Sequence, residues 1–304
     1  MKLADRNQFT VIAAGIALVA ALATSSVNAQ NINIPTLQRI QENGTIYVGH
    51  REASAPFSYY DGDNVVGYSK ELCDKVVIAV KQKLNNPSLK VILVPVSSNS
   101  RSLALVTGMI DLECGSTTNT KIQQNTVAFS VTTFVSGIKA MVRDDSGIKQ
   151  LADLNGKTII TTAGTTTERT VKAVFATRKL VAREMSGVSH ADSFKQVVTR
   201  KADAFVIDDA LLMGLIANSA AGAPMRLLEE NFAFEPYAIA MRKNDPEFKV
   251  LVDSSLKDLM KSGELETIYN KWFLGPIPPY GATLNLPMSD LLKEAIRVPN
   301  DNGI

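Results

Sequence analysis

An α/β fold arranged as two lobes is what this sequence predicts, and three observations carry that reading. Helical and strand periodicities alternate from residue 35 to residue 207. Two apolar, extended segments, 131–135 and 232–234, mark the joints without any Gly/Ser linker, and two strand-to-hydroxyl junctions of similar make-up lie one in each half. The composition agrees: 304 residues, 45% hydrophobic and 20% charged, allow about two domains and exclude collagenous, low-complexity, disordered and disulfide-framework classes. Lys+Arg 32 against Asp+Glu 30 leaves a net charge of +2 with no basic stripe. That balance argues against a nucleic-acid or anionic-membrane partner and for a small molecule.

At the N-terminus Lys2 and Arg6 precede an apolar run over 11–23, followed by Val27-Asn28-Ala29, whose small residues suit a signal peptidase. The run is 13 residues long, short of the roughly 18 that a membrane span needs. Residues 1–29 are therefore predicted to be a cleaved signal peptide. With no cysteine near the cleavage site, the product is expected to diffuse freely in the periplasm. Residues 35–42 read as a short helix stopped at Asn43-Gly44, and 45–49 as a buried strand. A hairpin comes next at Asp61-Gly62. Over 69–84, Leu72, Val76, Ala79, Val80 and Lys83 fall at helical spacing, and Asn85-Asn86-Pro87 ends that helix before a strand over 89–94. Further on, 101–107, 167–180 and 192–201 read as helices, and 110–114, 158–162, 183–185 and 204–207 as strands. Residues 246–262 and 264–273 belong to the C-terminal part that is expected to return to the first lobe. The predicted division is 30–134 for the first part of lobe 1, 135–233 for lobe 2, and 234–304 for the return to lobe 1 and a tail. Two strand crossings would let the lobes hinge.

The chain has two cysteines, Cys73 in a helical pattern and Cys114 in an apolar strand pattern. An oxidising compartment allows a bridge, but buried free thiols are the simpler expectation, because Cys is common in cores. With only two histidines, no zinc spacing exists, and neither a metal nor a cofactor is expected.

The chemistry concentrates at the two junctions: Leu112-Glu113-Cys114 into Gly115-Ser116-Thr117-Thr118-Asn119, and Ile160-Thr161-Thr162 into Ala163-Gly164-Thr165-Thr166-Thr167-Glu168. Each reads as strand, glycine, hydroxyls, then helix. Glycine admits a ligand close to the backbone, a helix start offers free N–H groups, and hydroxyls add adjustable hydrogen bonds, so the pair suits an anion held between lobes. The structural alternative at the second junction is a capping box made by Thr165 and Glu168. Neither junction matches a phosphate loop or a dinucleotide fingerprint. Arg51 after the strand over 45–49 and Arg101 after Ser97-Ser98-Asn99-Ser100 stand where α/β lobes place ligand groups, and two arginines can clamp a carboxylate. His190 is a candidate contact or a cap. Asp208 is a candidate partner for an ammonium group or an N-cap, and Trp272 is expected to pack rather than stack on a ligand. Together these groups complement a zwitterion with an extra carboxylate.

Several stretches carry a resemblance over essentially the whole mature chain. They are Val48-Gly49-His50-Arg51-Glu52, Pro56-Phe57-Ser58-Tyr59-Tyr60-Asp61, Val66-Gly67-Tyr68-Ser69, Glu113-Cys114-Gly115-Ser116-Thr117-Thr118-Asn119, His190-Ala191-Asp192-Ser193-Phe194, Asp208-Asp209-Ala210-Leu211-Leu212, and Lys271-Trp272-Phe273 with Pro276-Ile277-Pro278-Pro279. With these the sequence resembles the periplasmic glutamate/aspartate-binding group of family 3 solute-binding proteins of amino-acid ABC transporters. The resemblance implies a type II periplasmic binding protein, two α/β lobes closing on L-glutamate or L-aspartate for an inner-membrane permease, without metal or cofactor. A monomer is expected, since each chain would contain its own cleft. Carried over residue by residue, Arg51, Ser98, Arg101 and His190 would hold the side-chain carboxylate. Ser116, Thr118 and Thr166 would hold the backbone-like end, and Asp208 the ammonium group. Where the family has an arginine for the α-carboxylate this chain has Gln123, so that carboxylate would lean on Thr118, Thr166 and helix-start amides. The substitution leaves another carboxylated solute, such as a dicarboxylate, as the alternative ligand.

Two rival functions fit a two-lobed exported chain. One is a cyclohexadienyl dehydratase-like enzyme using Glu113, His190 or Asp208 as acid or base, against which stands the lack of a nucleophile elbow or of paired carboxylates at catalytic spacing. The other is a sensory receptor that reports to a membrane kinase.

Overall fold

The computed structural model describes residues 34–219 and 224–304; the predicted signal peptide lies outside them. Among the described residues no helix is long and apolar enough to cross a membrane.

Two sheets organise the chain. The first runs in the order Lys90–Pro95, Thr45–His50, Leu112–Glu113, Ala240–Arg242, Val127–Phe129. Its first three strands are parallel, and Ala240–Arg242 is inserted antiparallel after a long excursion. The second sheet runs Arg183–Gly187, Thr158–Thr162, Ala204–Asp208, Phe134–Arg143, Met225–Leu227, with the first three parallel. The predicted extended joints, 131–135 and 232–234, reach the strands only at their C-terminal ends, residues 131–133 and 232–233 being non-strand: Phe134–Arg143 leaves the first lobe, and Phe234–Tyr237 returns antiparallel beside its start, pairing Tyr237 with Phe134 and Glu235 with Ser136. Strands zipped in this way satisfy one another's backbone groups where the chain crosses between the lobes.

Local choices match the sequence. The helix Thr36–Asn43 stops at Gly44, which takes the left-handed conformation at φ 60°. In Tyr68–Lys83, the buried stripe is Leu72, Cys73, Val76, Val77 and Val80. The helices Pro246–Ser262 and Glu264–Phe273 bury Phe248, Val252, Leu256, Ile268 and Phe273 against the first lobe. Where the crossings meet that lobe, aromatic rings lock together: Phe57 to Phe134 at 4.8 Å, Phe134 to Phe273 at 4.9 Å, and Tyr269 to Phe273 at 4.4 Å. Trp272 is part of this packing, edge-on to Tyr59 and donating its indole N–H to Glu71 at 2.7 Å.

Three expectations need correction. Cys73 and Cys114 are not free thiols: they form a disulfide, with Cα atoms 6.1 Å apart, joining the helix Tyr68–Lys83 to the residue before Gly115. No α-helix continues from the Gly115-Ser116-Thr117-Thr118-Asn119 loop. Only a 3₁₀ turn, Gln123–Asn125, is present, and the loop is braced by residues 300–304, through Lys121 N–H to Ile304 O and Asn119 Nδ2 to Asp301 O, each at 2.9 Å. Thr165 and Glu168 do not make a capping box. Thr165 donates to Thr162 O, while Glu168 accepts from Gly164 N–H and the Ser186 hydroxyl.

Candidate functional site

The two loops face each other between the sheets. Thr118 and Thr166, from opposite sides, have hydroxyl oxygens 3.4 Å apart. The lobes are closed on one another. A side chain on Gly164 would overlap Asn99, and one on Gly214, inside the helix Asp209–Ala217, would overlap the Ala55 carbonyl.

One end of the cleft is cationic. Arg51 leaves the end of Thr45–His50 with its N–H fixed on Ser58 Oγ at 2.9 Å, and its Nη2 donates to Ser98 Oγ at 3.0 Å. Arg101 begins the helix Arg101–Val106, where the dipole opposes a cation, and its Nη1 donates to Ser116 O at 3.2 Å. The two arginines are 5% and 4% exposed, and Arg51 Nη1 and Arg101 Nε have no hydrogen-bond partner among the described residues. Buried donors left over in this way are what a ligand carboxylate satisfies. Glu113, fully buried and accepting from the Thr117 hydroxyl, supplies the balancing charge. It also explains Gly115, since a Cβ there would run into both Glu113 Oε1 and Arg51 Cγ. Burial, and then the charge of Arg101, bring the Arg51 guanidinium down to about 10, so it stays protonated at neutral pH.

His190 lies at the same end, at the start of His190–Val198, with Nδ1 3.0 Å from Thr162 Oγ1. The helix cap is Ser189, which accepts from Asp192 N–H, so His190 is not the cap. Burial, then Arg51 and Arg101, hold its pKa well below the ordinary 6.5 and keep the ring neutral. The unfolded chain takes up a proton below about 6.5 that the native site refuses, so this contribution to stability is complete above that pH and is lost as pH falls below it. Buried carboxyls with raised pKa values act in the opposite sense. The expected result is therefore differential: thermal unfolding from pH 7.5 to pH 5 shows wild type losing stability relative to His190→Gln, and parallel curves would contradict it.

The other end carries acidic side chains. Asp208 closes the strand Ala204–Asp208 and is 5% exposed; it sits at the N-cap position of Asp209–Ala217 but makes no side-chain cap, and its Oδ1 has no hydrogen-bond partner among the described residues. Burial pushes its carboxyl well up, and Glu235 pushes it further. Ser98, Arg101, Ser116, Thr118, Thr166, His190 and Asp208 line one narrow cavity, with Arg51 behind Ser98. The predicted residues are thus brought together from positions 51 to 208. Gln123 is not among them: its N–H donates to Thr120 Oγ1 in the 3₁₀ turn. Among the described residues no cluster could hold a metal ion.

Sequence reasoning missed Glu235, and it treated Glu113 only as a possible acid or base. The signal for Glu235 was alternation: in Phe234–Tyr237, Glu235 and Tyr237 share one strand face and both are buried, while Phe234 is exposed.

The profile of bacterial extracellular solute-binding proteins, family 3, matches residues 46–275. The chain is 42% identical over 270 residues to the glutamate/aspartate import solute-binding protein of Salmonella typhimurium, covering 88% of this chain and 89% of that one. It is 43% identical over 289 residues to the L-glutamate/L-aspartate-binding protein of Pseudomonas aeruginosa, covering 94% and 95%. Among solved structures it is similar to the ancestral amino acid-binding protein AncCDT-1, a precursor of cyclohexadienyl dehydratase. That match has a TM-score of 0.67 at 28% identity and covers 79% of this chain and 99% of that one.

Proposed function

This chain belongs to the bacterial extracellular solute-binding proteins, family 3, and from that premise we propose that it is the periplasmic receptor of an amino-acid ABC importer, capturing L-glutamate or L-aspartate by lobe closure. The observation that carries the reading is the polarity of one buried cavity, with the spare donors of Arg51 and Arg101 at one end and the spare Oδ1 of the Asp208 carboxyl at the other. An acidic amino acid has that charge pattern. The relatives named for glutamate and aspartate binding support the same ligand class. They are binding proteins rather than enzymes, and the chain is a binder, not a catalyst.

In this reading Arg51, Ser98, Arg101 and His190 hold the side-chain carboxylate, with Ser116, Thr118, Thr166 and Asp208 at the amino-acid end. The lobes divide as 30–134 with 234–304, and 135–233. Export involves cleavage after Ala29, and a monomer delivers its closed form to an inner-membrane permease. Ligand favours closure through its greater affinity for that state.

The test is calorimetric titration of ligand-stripped mature protein with L-glutamate, L-aspartate, L-glutamine and the dicarboxylates lacking the amine. One-to-one binding of the two acidic amino acids is expected; binding of the dicarboxylates alone would overturn the reading. Closure has its own test in Gly214→Ala. Alanine suits a helix interior by roughly 0.5–1 kcal/mol, but here its methyl meets the Ala55 carbonyl across the cleft. The expected result is at least about tenfold weaker ligand binding with no fall in melting temperature.

A further inference from the structure

Thr118 and Thr166 stand on opposite sides of the cleft, and both donate their hydroxyl proton to one oxygen, Oε2 of Glu235, Thr166 from 2.8 Å. Glu235 is 1% exposed, lies on the crossing strand Phe234–Tyr237 rather than on either loop, and its Oε1 has no hydrogen-bond partner among the described residues. A hydroxyl has one proton and two lone pairs. With both protons committed to Glu235, the threonines face the cavity as acceptors, and beside them Asp208 adds its unpartnered carboxylate oxygen. Acceptors suit an ammonium group and disfavour a carboxylate. Thr118 and Thr166 are therefore poorly suited to the α-carboxylate role that the Gln123 substitution suggested for them.

We propose that Glu235 is the positioning residue that makes an amino group obligatory: acting through Thr118 and Thr166, it turns the acidic end of the cavity into an ammonium site and excludes carboxylates that lack an amine. The proposal rests on the amino-acid receptor reading above and deepens it. The titratable and charged groups that act on Glu235 and Asp208 are Asp209 and Tyr237 and the cations Arg101 and Arg169, besides the two carboxyls themselves. Burial raises the pKa of both Glu235 and Asp208, and Glu235 raises Asp208 further. A bound ammonium reverses this, so its binding is linked to proton release and weakens as pH falls through the raised range. A dicarboxylate brings no cation to offset two buried carboxylates.

The experiment titrates wild type, Glu235→Gln and Thr166→Val calorimetrically with L-glutamate and with glutarate, which keeps both carboxylates and lacks the amine. Wild type is expected to prefer glutamate by about a hundredfold or more. In Glu235→Gln the glutamate affinity falls about tenfold or more while that for glutarate holds or improves, and the proton release seen across buffers of different ionisation enthalpy diminishes. Thr166→Val shifts the preference in the same direction and serves if the Glu235 variant does not fold. Equal losses for both ligands, or an unchanged preference, overturn the proposal and leave Glu235 as a structural support. Wild type that binds neither ligand, or glutarate as tightly as glutamate, overturns the amino-acid reading itself, an outcome visible without any variant.

Discussion

Arg101→Ala is expected to weaken L-glutamate binding at least about tenfold while the protein still folds, because the side chain is held chiefly for a ligand rather than for the protein. Among the described residues its one side-chain hydrogen bond is to a backbone carbonyl, Ser116 O at 3.2 Å, and its Nε is buried without a partner. Removing it also removes a repulsion with Arg51, which the charge of Arg101 helps to bring down to about 10. The loss should therefore fall on binding and not on stability. Arg101→Lys should recover little, since an ammonium group cannot reproduce the planar fork that meets a carboxylate bidentately. Calorimetric titration with L-glutamate, set beside thermal unfolding of the same ligand-free samples, reads both quantities. If the variant binds as tightly as wild type, the cationic end of the cleft does not hold the ligand.

Removing the disulfide is the second large effect. Cys73 and Cys114 are 41 residues apart in sequence, and closing a loop of that length lowers the entropy of the unfolded chain by an amount worth about 4 kcal/mol at 25 °C. The double variant Cys73→Ala/Cys114→Ala, or wild type under reductant, should melt roughly 8 °C lower. The bridge also anchors the residue immediately before Gly115, so the ligand loop should loosen and hydrogen exchange at 115–119 should accelerate beyond the global change. Equal melting with and without reductant would show that the bridge contributes nothing.

Much of the architecture is legible in the sequence because it is local. Hydrophobic spacing places the helices, and the predicted spans 69–84 and 101–107 lie within one residue of Tyr68–Lys83 and Arg101–Val106. The crossings are legible only in part: the apolar segments 131–135 and 232–234 point to them but run into the strands Phe134–Arg143 and Phe234–Tyr237 only at their ends, because strand pairing is set by the partner strand and not by local composition. The site residues are legible in part because arginines at strand ends, hydroxyls after glycine and a carboxylate at the close of Ala204–Asp208 are unusual choices on physical grounds. The segment after Gly115-Ser116-Thr117-Thr118-Asn119 reads as a helix in sequence and is not one. No local signal reveals that the loop is braced instead by residues 300–304, far along the chain.

The sequence by itself determined the α/β class, the two-lobed division as an expectation, and a set of charged and hydroxyl groups suited to an acidic zwitterion. Only the tertiary structure decided that Cys73 meets Cys114 and that Glu235 takes the protons of both Thr118 and Thr166. The last contacts span 117 and 69 residues. The reason is the range of the forces concerned. Helix and strand periodicity is set within a few residues, whereas the partner of a buried thiol or carboxylate is whatever the packed core brings within about 3 Å, and no spacing along one chain encodes it.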